Sequence, residues 1–250
     1  MEIDVLRQTR MPERLVCQAA RGDYYEGYVG DTNYRRLMSD VVGDTTHEKT
    51  KNLIEKQLSR GHFGTLEHPQ ITFAVKGVSR VTMAQITRHR HLTFDVQSQR
   101  YANFEDAEIV VPASLLTAEE KNNRYPHVFD EDGTHVSREK GLVEIDEDVR
   151  EFYREEYERV ATGQLYQYEQ MVEEGIPKED ARFVLPEGTP VNFTVSGNAR
   201  TFLHLLDMRK KANAQWEIHE LSAAMLDELF DWMPITYEYY KEHGPNRLSP

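Results

Sequence analysis

An α+β fold, with a central, mostly antiparallel sheet flanked by helices, is what this sequence predicts, and three observations carry that expectation. The chain has 250 residues, 39% hydrophobic and 10% aromatic, enough for one domain with a sizeable core. Short runs of alternating apolar and polar residues at 2–8, 71–75 and 191–195 read as half-buried strands. Longer segments with apolar residues three and four apart lie between them, without the regular βαβ alternation of a doubly wound sheet.

Taken in order, the N-terminal MEIDVLRQTR carries acids inside its apolar stretch and reads as a strand rather than a signal peptide. Pro12 opens a short helix through Cys17, Ala19 and Ala20. Residues 22–44, rich in Gly, Asp and Tyr, read as loop. Thr45 or Thr46 caps a helix from His47 to Arg60, with Leu53, Ile54 and Leu58 as its buried stripe and Gly61 as its left-handed stop. After His68-Pro69 comes the strand of Ile71, Phe73 and Val75. Helical spacing then runs over 79–90 and ends in a cationic cluster. Residues 98–111 alternate again into Ile109, Val110 and Val111. From about 117 to 148 the chain is acidic with almost no aliphatic pattern, which predicts a surface insertion without a core of its own. A long amphipathic helix over 149–174 places Phe152, Tyr153, Val160, Leu165, Tyr168 and Met171 among its apolar positions. A short helix from Lys178 to Leu185 stops at Pro186; Val191, Phe193 and Val195 make another strand. Helices at about 198–209 and 213–231 and an aromatic tail complete the chain.

Charge narrows the function. Forty-three acids against 30 bases give a net charge of −13, the wrong sign for a protein that coats nucleic acid. Lysines are few beside arginines, a balance that suits solubility in high salt. No apolar run is long enough for a membrane span. The single cysteine, Cys17, excludes an intramolecular disulfide framework and reads as a small buried hydrophobe, so a cytoplasmic enzyme without a cysteine nucleophile is expected. Neither GxGxxG, GxxxxGK[ST] nor HExxH occurs. The spacings of His62, His68, His89 and His91 match no zinc pattern, so no metal is expected.

The densest cluster is Arg88-His89-Arg90-His91, leading through Thr93 into Ser98-Gln99-Arg100-Tyr101. Cations so concentrated repel one another unless an anion or carboxylates neutralise them. A solvated helix end is the plain alternative. A second constellation is Asn198-Ala199-Arg200, after a strand and at a helix start, where backbone N–H groups face an incoming anion. Arg209 follows two and a half turns on, near Leu205, Leu206 and Met208. A third is the 62–68 segment, His-Phe-Gly-Thr-Leu-Glu-His.

RHRHLTFDVQS (88–98) fits the pattern RHR, seven residues, then Ser. With the 62–68 segment, Ala181-Arg182-Phe183-Val184-Leu185-Pro186, Asn198-Ala199-Arg200, and Arg209 followed by Ala214-Gln215-Trp216-Glu217-Ile218, the chain resembles the flavin-dependent thymidylate synthases over about residues 1–240. The resemblance implies one domain over 1–250, as the protomer of a homotetramer with shared active sites. It implies reductive methylation of dUMP to dTMP, with 5,10-methylenetetrahydrofolate giving the carbon, FAD carrying the hydride and NADPH as reductant.

By position, the resemblance implies that Arg88, His89 and Arg90 contact FAD and nucleotide. Gln85, Ser98, Gln99, Arg100 and Arg182 would hold dUMP, and Arg209 would act catalytically at the uracil ring. Thr65, Asn198, Arg200 and His204 would contact FAD, with His62 near flavin and folate. The chain departs from the family where Asp95-Val96 replaces Asn-Glu, where His204 and Asn213 replace Asn and His, and at Asp23, where a small hydroxyl residue is common. An FAD-dependent NADPH oxidase or reductase of the same fold is the alternative, and an RNA-binding module is a more distant one.

Overall fold

The computed structural model describes residues 1–102, 104, 107–136 and 145–243. Strands β1 (Glu2–Gln8), β2 (Gln70–Ser79), β3 (Thr93–Val96) and β4 (Pro190–Asn198) form one sheet in the order β1-β2-β4-β3, every neighbouring pair antiparallel. Alternation sets the register: Phe73 lies opposite Val195 and Val75 opposite Phe193, so their side chains share the buried face. Helix α1 (Pro12–Gly22) has Pro12 in its first turn, where no backbone N–H is missed. A short α2 (Tyr34–Leu37) precedes α3 (Thr46–Ser59), whose Thr45 and Glu48 form a reciprocal capping box. Gly61 follows at φ 74°, as the sequence predicts. Then come α4 (Arg80–Ile86), α5 (Ala118–Arg124), α6 (Glu147–Glu173), α7 (Lys178–Ala181), α8 (Ala199–Arg209), α9 (Trp216–Trp232) and α10 (Pro234–His243).

Helices α8, α9 and α4 pack on the sheet, and α1, α3 and α10 close the same core around them. Phe73 of β2 meets Phe202 of α8 edge to face at 5.3 Å, and both are fully buried. Trp232 at the end of α9 donates its indole N–H to the Thr9 carbonyl at 2.9 Å, tying the last third of the chain to its first strand.

Five sequence expectations are corrected. The helix over 79–90 ends at Ile86, and the cationic residues stand in a turn. The alternation at 98–111 makes no strand among the described residues (103, 105 and 106 lie outside them). The fourth strand is Thr93–Val96, which finds its ladder on β4, a partner a hundred residues away. Residues 22–44 are not all loop: Tyr34, Leu37 and Met38 are buried around α2. The acidic insertion carries α5, and its Tyr125, Val128 and Phe129 form a small core with Val111, Ala113 and Leu116 just ahead of it, the Trp216 ring tilted 4.5 Å from that of Tyr125; residues 137–144 lie outside the description. On α6, Leu165 and Tyr168 are buried, whereas Phe152, Tyr153 and Val160 are exposed, because the pattern shows which positions are apolar and not what covers them. The aromatic tail is α10, with Ile235, Tyr237 and Tyr240 buried.

His127 pins the insertion to α9. Its Nδ1 lies 2.6 Å from Glu220 Oε1 and its Nε2 lies 2.9 Å from Asp227 Oδ2, while its backbone N–H donates to Glu220 Oε2. The bond to Glu220, reinforced by Asp227, pushes the imidazole pKa up to about 9 against the opposing effect of burial. A raised histidine pKa gives stability that is complete below the unfolded value near 6.5 and is lost as pH rises through about 9. The melting-temperature gap between the native protein and His127→Gln is therefore expected to be widest near pH 6 and to narrow by pH 10. A gap independent of pH would show that the clamp carries no charge.

Candidate active site

Three segments converge on the sheet end where β4 runs into α8. The Asn198 side chain caps α8, its Oδ1 accepting from the backbone N–H and the hydroxyl of Thr201, both at 2.8 Å. The turn after α4 brings Arg88, His89, Arg90 and His91 beside this helix. The end of the 3₁₀ turn Phe63–Glu67 adds Glu67, whose carboxylate takes Arg200 Nη1 at 2.5 Å, while the Arg200 guanidinium lies 6.0 Å from the Phe63 ring centre.

A cavity of about 430 Å³ is lined by Arg88, His89, Arg90, His91, Thr201, His204, Met208 and Arg209. A second of about 400 Å³ is lined by Glu67, His91, Asn198, Arg200, Thr201 and His204. They share His91, Thr201 and His204, and so lie side by side along one face of α8. Spacing along α8 holds the signal for Thr201, His204 and Met208, which fall three, then four residues apart and so project from one face. Of these only His204 stands out in the sequence.

Arg209 is the fixed point of the larger cavity. Its Nε donates to His89 Nε2 at 2.9 Å and its Nη2 to the Gln85 carbonyl at 3.0 Å. An acceptor at Nε2 requires a neutral imidazole with its proton on Nδ1. His89 is buried, and burial together with the Arg209 and His204 charges pushes its pKa down to about 4. Burial and the neighbouring Arg88 in turn push the Arg209 guanidinium below its ordinary range. Among the described residues Arg88, Arg90 and Arg209 form no ion pair with a carboxylate, and the lining of this cavity has none. Three cations around an acid-free cavity make a site for an anion, whose arrival offsets their mutual repulsion.

The other expected residues stand elsewhere. Ser98 closes a turn, its carbonyl accepting from the Tyr101 and Ala102 N–H groups and its Oγ from the Arg100 N–H; Gln99 lies within that turn. Arg100 meets Glu179 Oε2 at 2.6 Å, and Arg182 Nε donates to the Glu179 carbonyl at 3.0 Å, so these two arginines gather on Glu179 rather than around Arg209. His62 and Thr65 line a third cleft of about 330 Å³ with Asp23, Tyr24, Gln57 and His68. The Thr65 hydroxyl is buried there with no hydrogen-bond partner among the described residues.

The sequence matches the family model of the thymidylate synthase complementing protein over residues 4–235. It is 44% identical over the full length of both chains to a flavin-dependent thymidylate synthase of Halobacterium salinarum. This chain belongs to the flavin-dependent thymidylate synthase family. The family's representative in Haloarcula marismortui is 43% identical, again over the whole of both chains. Membership makes the protein a flavin-dependent enzyme of the methyltransferase class, as the motifs predict. The fold agrees: the UMP/dUMP methylase PolB of Streptomyces cacaoi, solved with 5-Br dUMP, matches with a TM-score of 0.75, covering 100% of this chain and 97% of that one at 22% identity. Among the described residues no helix is long and apolar enough to cross a membrane, and no group of three or more His, Cys, Asp or Glu side chains could hold a metal ion.

Proposed function

We propose that this enzyme methylates dUMP to dTMP, taking the carbon from 5,10-methylenetetrahydrofolate and reducing equivalents from NADPH through FAD. The observation that carries the reading is the acid-free cation set of Arg88, Arg90 and Arg209, with Arg209 aimed by a neutral His89 and the Gln85 carbonyl. Fixed donors aimed where negative charge develops stabilise a transition state without reorganisation. In this reading Arg209 holds charge on the N3–O2 side of uracil, which makes the ring carbon nucleophilic without a covalent thiolate adduct. Cys17 supports this: it is fully buried, burial pushes its thiol up to about 11, and its Sγ faces the Thr50 carbonyl at 3.8 Å.

The polar groups suit FAD. Arg88, Arg90 and Arg200 would take its pyrophosphate side, Asn198 and His204 its flanks, and the buried Thr65 hydroxyl offers an unused hydrogen bond, with His62 toward flavin and folate. Bound flavin supplies a hydride carrier that NADPH reduces. Gln85, Ser98, Gln99, Arg100 and Arg182 would hold dUMP. The separation of Arg100 and Arg182 from the Arg209 cavity supports sites completed between the subunits of a homotetramer.

The test is dTMP formation by purified protein with dUMP, methylenetetrahydrofolate and NADPH, with and without FAD. Product that depends on FAD is expected. NADPH oxidation by the flavin-loaded protein without dTMP would replace this reading with that of a reductase.

A further inference from the structure

Glu217 lies outside both cavities and is only 1% exposed. Its carboxylate is met by three neutral donors from the cap and first turn of one short helix, α4. The Ser79 backbone N–H and the Thr82 hydroxyl each donate at 2.7 Å, and the Ser79 hydroxyl donates to the same oxygen as Thr82. Ser79 Oγ also accepts from the Thr82 N–H, capping α4. A carboxylate at a helix start suits the positive end of the helix dipole. An acceptor-only group is also what three converging donors require, since a hydrocarbon there would leave them buried and unsatisfied.

Helix α4 has seven residues, too few to hold its own geometry. Its far end is held as well, because the Gln85 carbonyl accepts from Arg209 Nη2. Arg209 closes α8 and Glu217 lies in the first turn of α9, so both grips on α4 come from residues flanking one short connection, 210–215. The cationic turn of Arg88–His91 issues directly from α4. A tilt of this helix therefore moves Gln85, His89 and Arg88 together against Arg209.

We propose that Glu217 is a positioning residue: by fastening the first turn of α4 to α9 it sets the stance of Gln85 and the Arg88–Arg90 turn, and through them the aim of the Arg209 guanidinium. The kinetic side of this inference rests on the dUMP-methylating reading above; the geometric side does not.

The experiment compares Glu217→Ala, Glu217→Gln and Thr82→Val as flavin-loaded enzymes, well below each melting temperature. A sub-ångström loss of aim costs turnover more than binding, so Glu217→Ala is expected to lower kcat about 10–100-fold while the KM for dUMP changes less than about 3-fold. Glu217→Gln keeps one acceptor and the side-chain shape, and is expected to stay within about 3-fold of the native kcat, with Thr82→Val between the two. In parallel, ¹⁵N-histidine NMR without substrate follows His89. It is expected to titrate near pH 4 in the native protein and to rise in Glu217→Ala, as the tilting turn loosens the burial of His89 and Arg209 swings away.

A Glu217→Ala enzyme that melts earlier yet keeps native kcat and an unshifted His89 would reduce Glu217 to a fold anchor and overturn the proposal. Should that variant not fold, Thr82→Val decides on the same two readouts: a lowered kcat and a raised His89 titration support the proposal, and native values of both overturn it. If the native enzyme forms no dTMP, the proposed reaction fails and the His89 titration alone decides the role of Glu217.

Discussion

Arg209→Ala is expected to cut dTMP formation by about 10²–10³-fold while flavin stays bound, the loss typical of removing a preorganised donor at a developing anion. The size follows from how the side chain is held. Two of its nitrogens are committed to His89 and to the Gln85 carbonyl, which leaves the remaining N–H donors aimed into the cavity. Arg209→Lys keeps the charge but cannot bond both partners in one plane, so it is expected to restore only a small part of the activity. The acceptor at His89 stays neutral down to about pH 4, so this arrangement persists across the neutral range. Flavin retention is checked by the visible spectrum of the purified variant and product by chromatography. Turnover within a few-fold of native would remove Arg209 from the chemistry, and loss of flavin would make it a cofactor anchor instead.

Phe202→Ala is expected to cost about 3–5 kcal/mol of stability, as for a large side chain removed from a closed core. In a chain of this size each kcal/mol shifts the melting temperature by a few degrees, so a fall of roughly 6–20 °C follows. Phe202 is fully buried and packs edge to face on Phe73 of the central strand, and it is the link that seats α8 on the sheet. Because α8 also carries Asn198 at its cap and Thr201, His204 and Arg209 along its length, residual activity is expected to fall in step with the folded fraction. Phe202→Leu fills most of the volume and is expected to lose less than half as much. Calorimetry on both variants decides; a loss below about 1 kcal/mol for the alanine variant would mean that the core closes over the gap.

Much of the scaffold is legible because its signals are local. The cap at Thr45, one of the two threonines the sequence offers, Pro12, Gly61 and the alternation around Phe73 each act within a few residues, and each does what the sequence predicts. β3 is hidden because four residues, Thr93–Val96, offer only two alternations, and their ladder is supplied by β4. The small core that the insertion shares with the segment before it is hidden for a related reason: Val111, Leu116 and Phe129 are too scattered to form a period and meet only after the chain turns back.

In the candidate site, the motifs single out Arg88, His89, Arg90, His204 and Arg209, which line one cavity, but give no sign of how they are partnered. Arg209 and His89 lie 120 residues apart, and no spacing rule connects them. Glu217 stands in a recognisable motif, yet its use as the acceptor for Ser79 and Thr82 depends on how α9 crosses α4. The gathering of Arg100 and Arg182 on Glu179 is likewise a product of folding rather than of pattern.

The strand order has a consequence for the newly made chain. β2 sits between β1 and β4 and pairs Gln70 with Asn198, so one edge of it stays bare until β4 has emerged from the ribosome. At ordinary synthesis rates that interval is on the order of ten seconds. Throughout it Ile71, Phe73 and Val75 present an apolar row with unpaired backbone groups, the kind of edge on which nascent chains join one another. The period of greatest exposure to aggregation therefore falls while the acidic middle of the chain is being made, whose carboxylates repel a neighbouring copy at the time that repulsion is most useful.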